Sequence, residues 1–392
     1  MYQDQLSEAQ RSILDLLEIA PNNTNFRIAL AHIYLWRGWS RLALEEFKII
    51  ETLDSSNPQA QNGQILTLWA NDEKKEAKNR LEPLIQQYPS EKYFQRTKRF
   101  IKVEKMTNLQ VDTTFFEEHP GDIEFTLSRR LEQPLGFYHK LFAEFIRRET
   151  AREDMEDIEE RVYFGNQWQP NNILKFTGGA SLDYISSNDD VDGLGEMIFT
   201  PNDYWTLDWA FDGHILSVPY RSRVEGLKAK EYSSSVTYRA SDEFNTQLGT
   251  TWTNYSDDNE NISYLWNTDT ALKKTACWKF FIATQYSIST YSDTNVPYFS
   301  PDSLYNFYII PRIEHTWFQR YGKSITDRLE LGIGQEYQRH VGADDIGFIR
   351  YEQNYNLSDT FALTIDSSYG LTNYDGADVN QFSLSSRLNI KF

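Results

Sequence analysis

Gln381-Phe382-Ser383-Leu384-Ser385-Ser386-Arg387-Leu388-Asn389-Ile390-Lys391-Phe392, the end of the chain, decides the fold. Phe382, Leu384, Leu388, Ile390 and Phe392 take one set of alternate positions, and Gln381, Ser383, Arg387, Asn389 and Lys391 take the other. A period of two sends successive side chains to opposite faces of a strand, so this segment has one apolar and one polar face. The same pattern recurs upstream. Leu329, Leu331 and Ile333 alternate with Glu330, Gly332 and Gly334, and Trp205, Leu207, Trp209 and Phe211 with Thr206, Asp208, Ala210 and Asp212. Sixteen such segments run from residue 106 onward: 107–117, 121–131, 136–149, 158–169, 171–186, 193–201, 203–214, 227–240, 242–255, 259–270, 275–291, 303–319, 322–340, 344–357, 359–371 and 379–392.

An even number of strands of about ten residues, apolar on one face, is the signature of an antiparallel transmembrane β-barrel. A soluble sandwich has no need of Trp, Phe and Leu on the outward positions of nearly every strand. The mean hydropathy of −0.61 does not conflict with this, because alternation hides a barrel from hydropathy averaging. No apolar run is long enough for a membrane helix. An aromatic content of 15%, with 10 Trp and 24 Tyr, suits the girdles at the two lipid interfaces. The terminal Phe392 resembles the signal read by the outer-membrane barrel assembly machinery. With Phe392 at the periplasmic side, parity makes Gln169-Pro170-Asn171, Pro201-Asn202-Asp203, Ala240-Ser241-Asp242 and Leu357-Ser358-Asp359 periplasmic turns. The long connections 150–157, 187–192, 215–226, 292–302 and 372–378 then fall outside the cell.

The first 105 residues follow another rule. Ala9, Ala43 and Ala77 are spaced by 34, as are Ile13, Phe47 and Leu81, and Leu16, Ile50 and Leu84. This is the tetratricopeptide period, in which a small residue marks where paired helices touch. The expected architecture is therefore a multidomain α+β chain. Residues 1–105 are the C-terminal part of a longer periplasmic repeat array, and residues 106–392 are a sixteen-stranded antiparallel barrel in the bacterial outer membrane. Met1-Tyr2-Gln3-Asp4 lacks the features of a signal peptide, which fits a chain that starts partway through a repeat. Residues 91–104 read as a last helix with a basic face of Lys92, Arg96, Lys98, Arg99 and Lys102.

Charge separates the two parts. Residues 1–105 carry 15 basic and 14 acidic side chains; residues 106–392 carry 24 and 43, a net of −19. With the apolar set facing lipid, the opposite face points inward and brings with it Asp112, Glu124, Glu144, Asp183, Asp208, Asp212, Glu231, Glu314, Glu330, Glu336, Glu352 and Asp366. Lys175, Lys279, Arg312, Arg328, Arg350 and Arg387 share that face, as do the aromatics Tyr138, Phe142, Tyr163, Tyr308 and Phe348. Two readings of the carboxylates stand: a focused field that draws cations into a narrow channel, or ladders paired with neighbouring Arg and Lys.

No catalytic constellation is convincing, and carboxylate pairs for glycoside cleavage are not readable from sequence, because they depend on spacing across strands. Gly-x-Ser-x-Gly, His-Glu-x-x-His and a phosphate loop are all missing, and the six histidines are scattered. His315 falls on the lipid face. The Asn188–Gly193 stretch opens like a calcium loop, but its twelfth position is Phe199, so it reads as an acidic outer loop. The single Cys277 excludes an intrachain disulfide. The expectation is a non-enzyme without cofactor or metal, in contact with outer-membrane lipid and not with nucleic acid.

Three stretches carry a resemblance to a known family: Val218-Pro219-Tyr220-Arg221-Ser222-Arg223 with the strand ending Tyr238-Arg239-Ala240-Ser241-Asp242; Val296-Pro297-Tyr298-Phe299-Ser300-Pro301; and Tyr374-Asp375-Gly376. With the repeat-plus-barrel plan, the chain resembles the export porins for poly-β-1,6-N-acetyl-D-glucosamine, the PgaA family. The resemblance implies a barrel that passes a partly de-N-acetylated, cationic exopolysaccharide, and repeats that engage a periplasmic polysaccharide deacetylase. The alternatives are a porin for another exopolysaccharide, or a phage-receptor or adhesin-type barrel without transport.

Overall fold

A computed structural model describes residues 5–119, 121–152, 155–185, 188–215, 218, 227–296, 298–320, 322–374 and 376–392, with the side chains of 152, 155, 184–185 and 188–190 left aside. Met1–Asp4, residues 219–223 of the first resemblance stretch, Pro297 and Asp375 lie outside the described residues.

Six short helices come first: α1 (Leu6–Ile19), α2 (Thr24–Trp36), α3 (Ser40–Leu53), α4 (Pro58–Ala70), α5 (Lys74–Gln87) and α6 (Lys92–Glu104). Each packs on its successor, and α4 also packs on α2 and α6. None is long and apolar enough to cross a membrane. The starts of α2 and α4 are written in the sequence. The Asn23 side chain accepts hydrogen bonds from the backbone N–H groups of Asn25 and Phe26, and Asn57 does the same for Gln59 and Ala60, with Pro58 in the first turn. The small residues are where helices meet: Ala43 and Ala77 are fully buried. Phe47 lies so close to Gly63 that an added Cβ would stand 2.3 Å from its ring. Gly63→Ala should therefore unfold this part of the chain at a cost of about 1–3 kcal/mol. A lowered helical melt by circular dichroism, with barrel mobility on gels unchanged, is the expected result.

His32 adds a pH dependence to the same region. Its ring stacks on Trp36 at 5.7 Å and meets the edge of Phe47 at 5.5 Å. Burial holds its pKa below the ordinary imidazole value. The unfolded chain thus binds the proton more tightly than the folded one. The stability from a neutral His32 is complete above the ordinary imidazole pKa and is lost as pH falls from there through the depressed folded value. The helical melt should drop between about pH 7.5 and about pH 5.5, and His32→Phe should flatten that drop. An equal drop in His32→Phe would assign it elsewhere.

The sheet follows directly: β1 (Asn108–Glu118), β2 (Asp122–Leu135), β3 (His139–Arg152), β4 (Met155–Trp168), β5 (Leu174–Ile185), β6 (Asn188–Phe199), β7 (Trp205–Asp212), β8 (Ala229–Arg239), β9 (Phe244–Tyr255), β10 (Glu260–Lys274), β11 (Trp278–Tyr291), β12 (Ser303–Arg320), β13 (Lys323–Gln338), β14 (Gly342–Ser358), β15 (Phe361–Tyr374) and β16 (Ala377–Lys391). Every neighbour is antiparallel, and β1 pairs with β16, so the sheet is a closed barrel. Closure satisfies every strand edge, as a lipid environment demands. The outer face reads across the register as Phe115, Leu384, Tyr351, Leu329, Ile313 and Phe280, interrupted by Ser367.

Three expected long connections are not loops. Stretches 150–157, 187–192 and 372–378 are mostly strand, with Arg152 opposite Met155, Ile185 opposite Asn188 and Tyr374 opposite Ala377. The Asn188–Gly193 stretch is the start of β6, not an acidic loop. These hairpins continue past the apolar belt, and the outward face turns polar there: Arg147 pairs with Glu160 at 2.9 Å and with Glu149 at 2.7 Å.

The helices lie on one rim of the barrel. The carboxylate of Asp203, in the β6–β7 turn, accepts from the backbone N–H groups of Arg41 (3.0 Å) and Leu42 (3.1 Å) at the start of α3. An anion at a helix N-terminus meets free N–H groups and the positive end of the helix dipole. Arg37 pairs with Asp242 of the β8–β9 turn at 3.1 Å, Lys105 lies over Phe137 of the β2–β3 turn at 3.9 Å, and Glu104 pairs with Lys391 of β16 at 2.7 Å. Arg99 reaches Asp359 of the β14–β15 turn at 2.6 Å. The helices thus follow an arc of this rim, from the β8–β9 turn through β1 to β14. Asp203→Ala should cost the α3 start about 1 kcal/mol. Faster hydrogen exchange in the first turn of α3 checks it; unchanged protection would refute the cap.

Candidate functional site: the barrel interior

All twelve carboxylates picked out from the sequence lie on the face opposite the apolar set, and the register shows what each meets. Asp112 pairs with Arg387 at 2.7 Å across the β1–β16 seam. Glu144 takes Arg130 at 3.0 Å and the Ser128 hydroxyl at 2.7 Å. Glu314 lies 3.3 Å from Arg328 and 3.4 Å from Arg312, and Glu330 lies 4.0 Å from Arg312. Asp366 holds Arg350 at 2.7 Å, with Glu352 at 3.9 Å from the same guanidinium. Glu124 lies 3.9 Å from Arg148. On these strands the ladder reading describes the wall.

Four carboxylates have no ion-pair partner among the described residues: Asp208, Asp212, Glu231 and Glu336. Glu336 is buried and accepts from Gln338 at 2.7 Å. The other three cluster on β7 and β8. Asp212 and Glu231 are register partners, and Asp208 sits two positions before Asp212 on the same face. The uncompensated negative charge is thus concentrated on one side of the lumen.

Sequence reasoning missed the inward cations Arg130, Arg148 and Arg161. The alternation that placed Glu144 inward also places Arg148 inward, and it does the same for Arg161 beside Tyr163, so the signal was there. Tyr138, expected on the inner face, sits instead in the β2–β3 turn at the helix-bearing rim. Phe142 and Phe348 lie against the wall over glycines: a Cβ on Gly165 would stand 2.3 Å from the Phe142 ring, and one on Gly332 would stand 2.1 Å from the Phe348 ring.

Arg161 is the centre of a buried knot near the other rim. It is fully buried, forms an ion pair with Asp183, and donates to the Tyr163 hydroxyl at 2.6 Å, to Glu159 at 3.1 Å and to the His214 backbone carbonyl. His214 belongs to the connection after β7, and its Nδ1 meets the other oxygen of Asp183. Asp183, Asp192 and His214 offer ligand atoms within 4.8 Å of one another. With both Asp183 oxygens engaged and a guanidinium alongside, this is an ion-pair pin rather than a cation cage. The knot draws the connection inward, where Ile215 and Val218 pack with Ala229 and Tyr255.

The β11–β12 connection is held at the same rim. Asn259 Nδ2 donates to the Tyr298 and Ser300 hydroxyls at 2.9 and 3.0 Å and to the Asp293 carbonyl at 3.0 Å. Phe299 meets Tyr374 of β15 at 4.7 Å. The described residues of both connections are therefore anchored at the rim opposite the helices.

A closed sixteen-strand barrel with an apolar exterior and a charged, hydrogen-bonding interior defines an outer-membrane β-barrel. Residues 98–392 match the family model for the PgaA membrane beta barrel domain, and the chain belongs to that family. It is 22% identical over 390 residues to the poly-beta-1,6-N-acetyl-D-glucosamine export proteins of Escherichia coli K12 and Escherichia coli O157:H7, covering 96% of this chain and 47% of each relative. The chain thus spans about half the length of these relatives. A solved structure described as a bacterial polysaccharide outer membrane secretin superposes with a TM-score of 0.69 at 14% identity, over 74% of this chain and 99% of that one, and shows the same fold.

Proposed function

We propose that this chain passes a partly de-N-acetylated poly-β-1,6-N-acetyl-D-glucosamine, a biofilm exopolysaccharide, out through the outer membrane. The observation that carries the reading is the unpaired carboxylate cluster Asp208, Asp212 and Glu231 on the β7–β8 wall. Free amines on such a polymer are cationic near neutral pH, and carboxylates with no ion-pair partner in contact among the described residues attract them. Exposed ion pairs are worth roughly 0–1 kcal/mol each, enough to recruit a chain and weak enough to release it.

On this reading the six helices are tetratricopeptide repeats, the C-terminal part of a longer array. Their rim faces the periplasm, and the array hands the polymer over from a periplasmic polysaccharide deacetylase. The 34-residue period and the docking of α3 and α6 on the rim turns support this. The test is secretion by a polymer-producing strain that lacks its own export porin. The protein should restore surface polymer, and a version without residues 1–90 should insert equally but export little. Polymer retained in the periplasm at full barrel abundance would refute export. Full secretion by the shortened version would remove the helices from delivery.

A further inference from the structure

We propose that a recess in the lumen wall across β14, β15, β16 and β1 is a subsite for one uncharged pyranose residue of the exported chain. The inference rests on the polysaccharide-export reading above. The recess has a volume of about 330 Å³ and is lined by Phe116, Tyr308, Phe348, Arg350, Asp366 and Gly370. Phe116 shares the inward face with its register partner Ser383, as Phe348 does with Gly370.

Three features give the recess its chemistry. The first is an aromatic platform. One side of the Phe348 ring covers Gly332, and Tyr308 props it at 5.6 Å and 60°, so its orientation is fixed and it lines the recess. The apolar face of a pyranose is a ring of C–H bonds, and a fixed aromatic ring complements it. The second is depth. Gly370 does not have a positive φ, and a Cβ there would meet Phe348 and the Gly347 carbonyl at an ordinary 3.6 Å. Neither backbone nor packing requires glycine at 370, and its bare Cα leaves the floor of the recess open. The third is charge. Arg350 and Asp366 bond at 2.7 Å, so the ionic groups cancel and the recess has no pull on an ammonium group. The hydroxyls of Ser368 and Ser383, which also line it, have no partner among the described residues and remain available to sugar hydroxyls.

The position sharpens the contrast. In a sixteen-strand closed order, β15 and β16 lie across the lumen from β7 and β8. The unpaired carboxylates and the neutral aromatic recess therefore occupy opposite walls. A chain carrying both free-amine and N-acetylated residues meets a separate surface for each kind.

The test is block of ion current through the full chain in planar bilayers. One probe is an uncharged N-acetylglucosamine pentamer, and the other is the cationic glucosamine pentamer. Phe348→Ala, which removes the platform, and Gly370→Leu, which fills the floor, should each weaken block by the uncharged probe about tenfold and leave block by the cationic probe unchanged. Unchanged block by the uncharged probe in both variants would overturn the subsite and leave the export reading standing. A wild-type channel that neither probe blocks would overturn both. If Phe348→Ala fails to insert, Gly370→Leu alone decides, because a Cβ there makes only ordinary van der Waals contacts.

Discussion

Replacing Arg161 with methionine should destabilise the barrel by about 3–5 kcal/mol and free the connection after β7. The guanidinium is fully buried and is shared by Asp183, Glu159, the Tyr163 hydroxyl and the His214 carbonyl. Its removal leaves Asp183 buried with only His214 for a partner, and an uncompensated buried charge is the costly outcome. The expected readouts are unfolding at lower denaturant, measured by heat-modifiable gel mobility, and larger, noisier single-channel conductance as the mouth loosens. Arg161→Met combined with Asp183→Leu should recover much of the stability, since a buried pair replaced by apolar groups is often near neutral. Conductance should stay raised in the double variant, because His214 has lost its anchor. Wild-type stability and conductance in Arg161→Met would remove the knot from any role in holding the loop.

The second large effect is electrostatic. The triple variant Asp208→Asn, Asp212→Asn, Glu231→Gln should abolish most of the channel's preference for cations and lower secretion of the partly deacetylated polymer about tenfold, the result of losing several weak contacts at once. The fold should persist, because lumen positions tolerate polar exchange. The control is Asp112→Asn with Arg387→Gln, which removes a 2.7 Å pair without changing net charge and should leave selectivity intact. Reversal potentials under a salt gradient measure both. A triple variant that keeps full cation selectivity would show that the field comes from elsewhere on the protein.

The barrel was legible in the sequence wherever lipid touches it. Trp205, Leu207, Trp209 and Phe211 can alternate with polar residues for one reason, and all sixteen segments were found by that rule. The rule failed where strands leave the membrane. Beyond the belt the outward face has no need to be apolar: β3 and β4 turn Arg147, Glu149 and Glu160 outward and then run on into 150–157, which read as loop. The interior was legible by face and not by partner. Alternation places Asp112 and Asp208 on the same side, but only strand register shows that one meets an arginine and the other does not. His214 was illegible for a related reason: the alternating segment 203–214 ended on it, but the strand stops at Asp212, and nothing in the alternation names Asp183 as the partner that His214 reaches from the connection.

The seam between β1 and β16 sets an order of events. Thr107 and Phe392 exchange both backbone hydrogen bonds at 3.0 Å, and Glu104 and Lys391 pair across 287 residues of chain. Contacts so distant in sequence form late, because the intervening loop must be closed before they return any energy. Until synthesis and insertion reach the last strand, β1 is an open edge able to pair with another chain. Loss of even the final few residues should therefore lengthen the life of an aggregation-prone intermediate more than it weakens the finished barrel. The same closure brings Lys391 to the end of α6, so the last helix takes its seat only after the ring is complete.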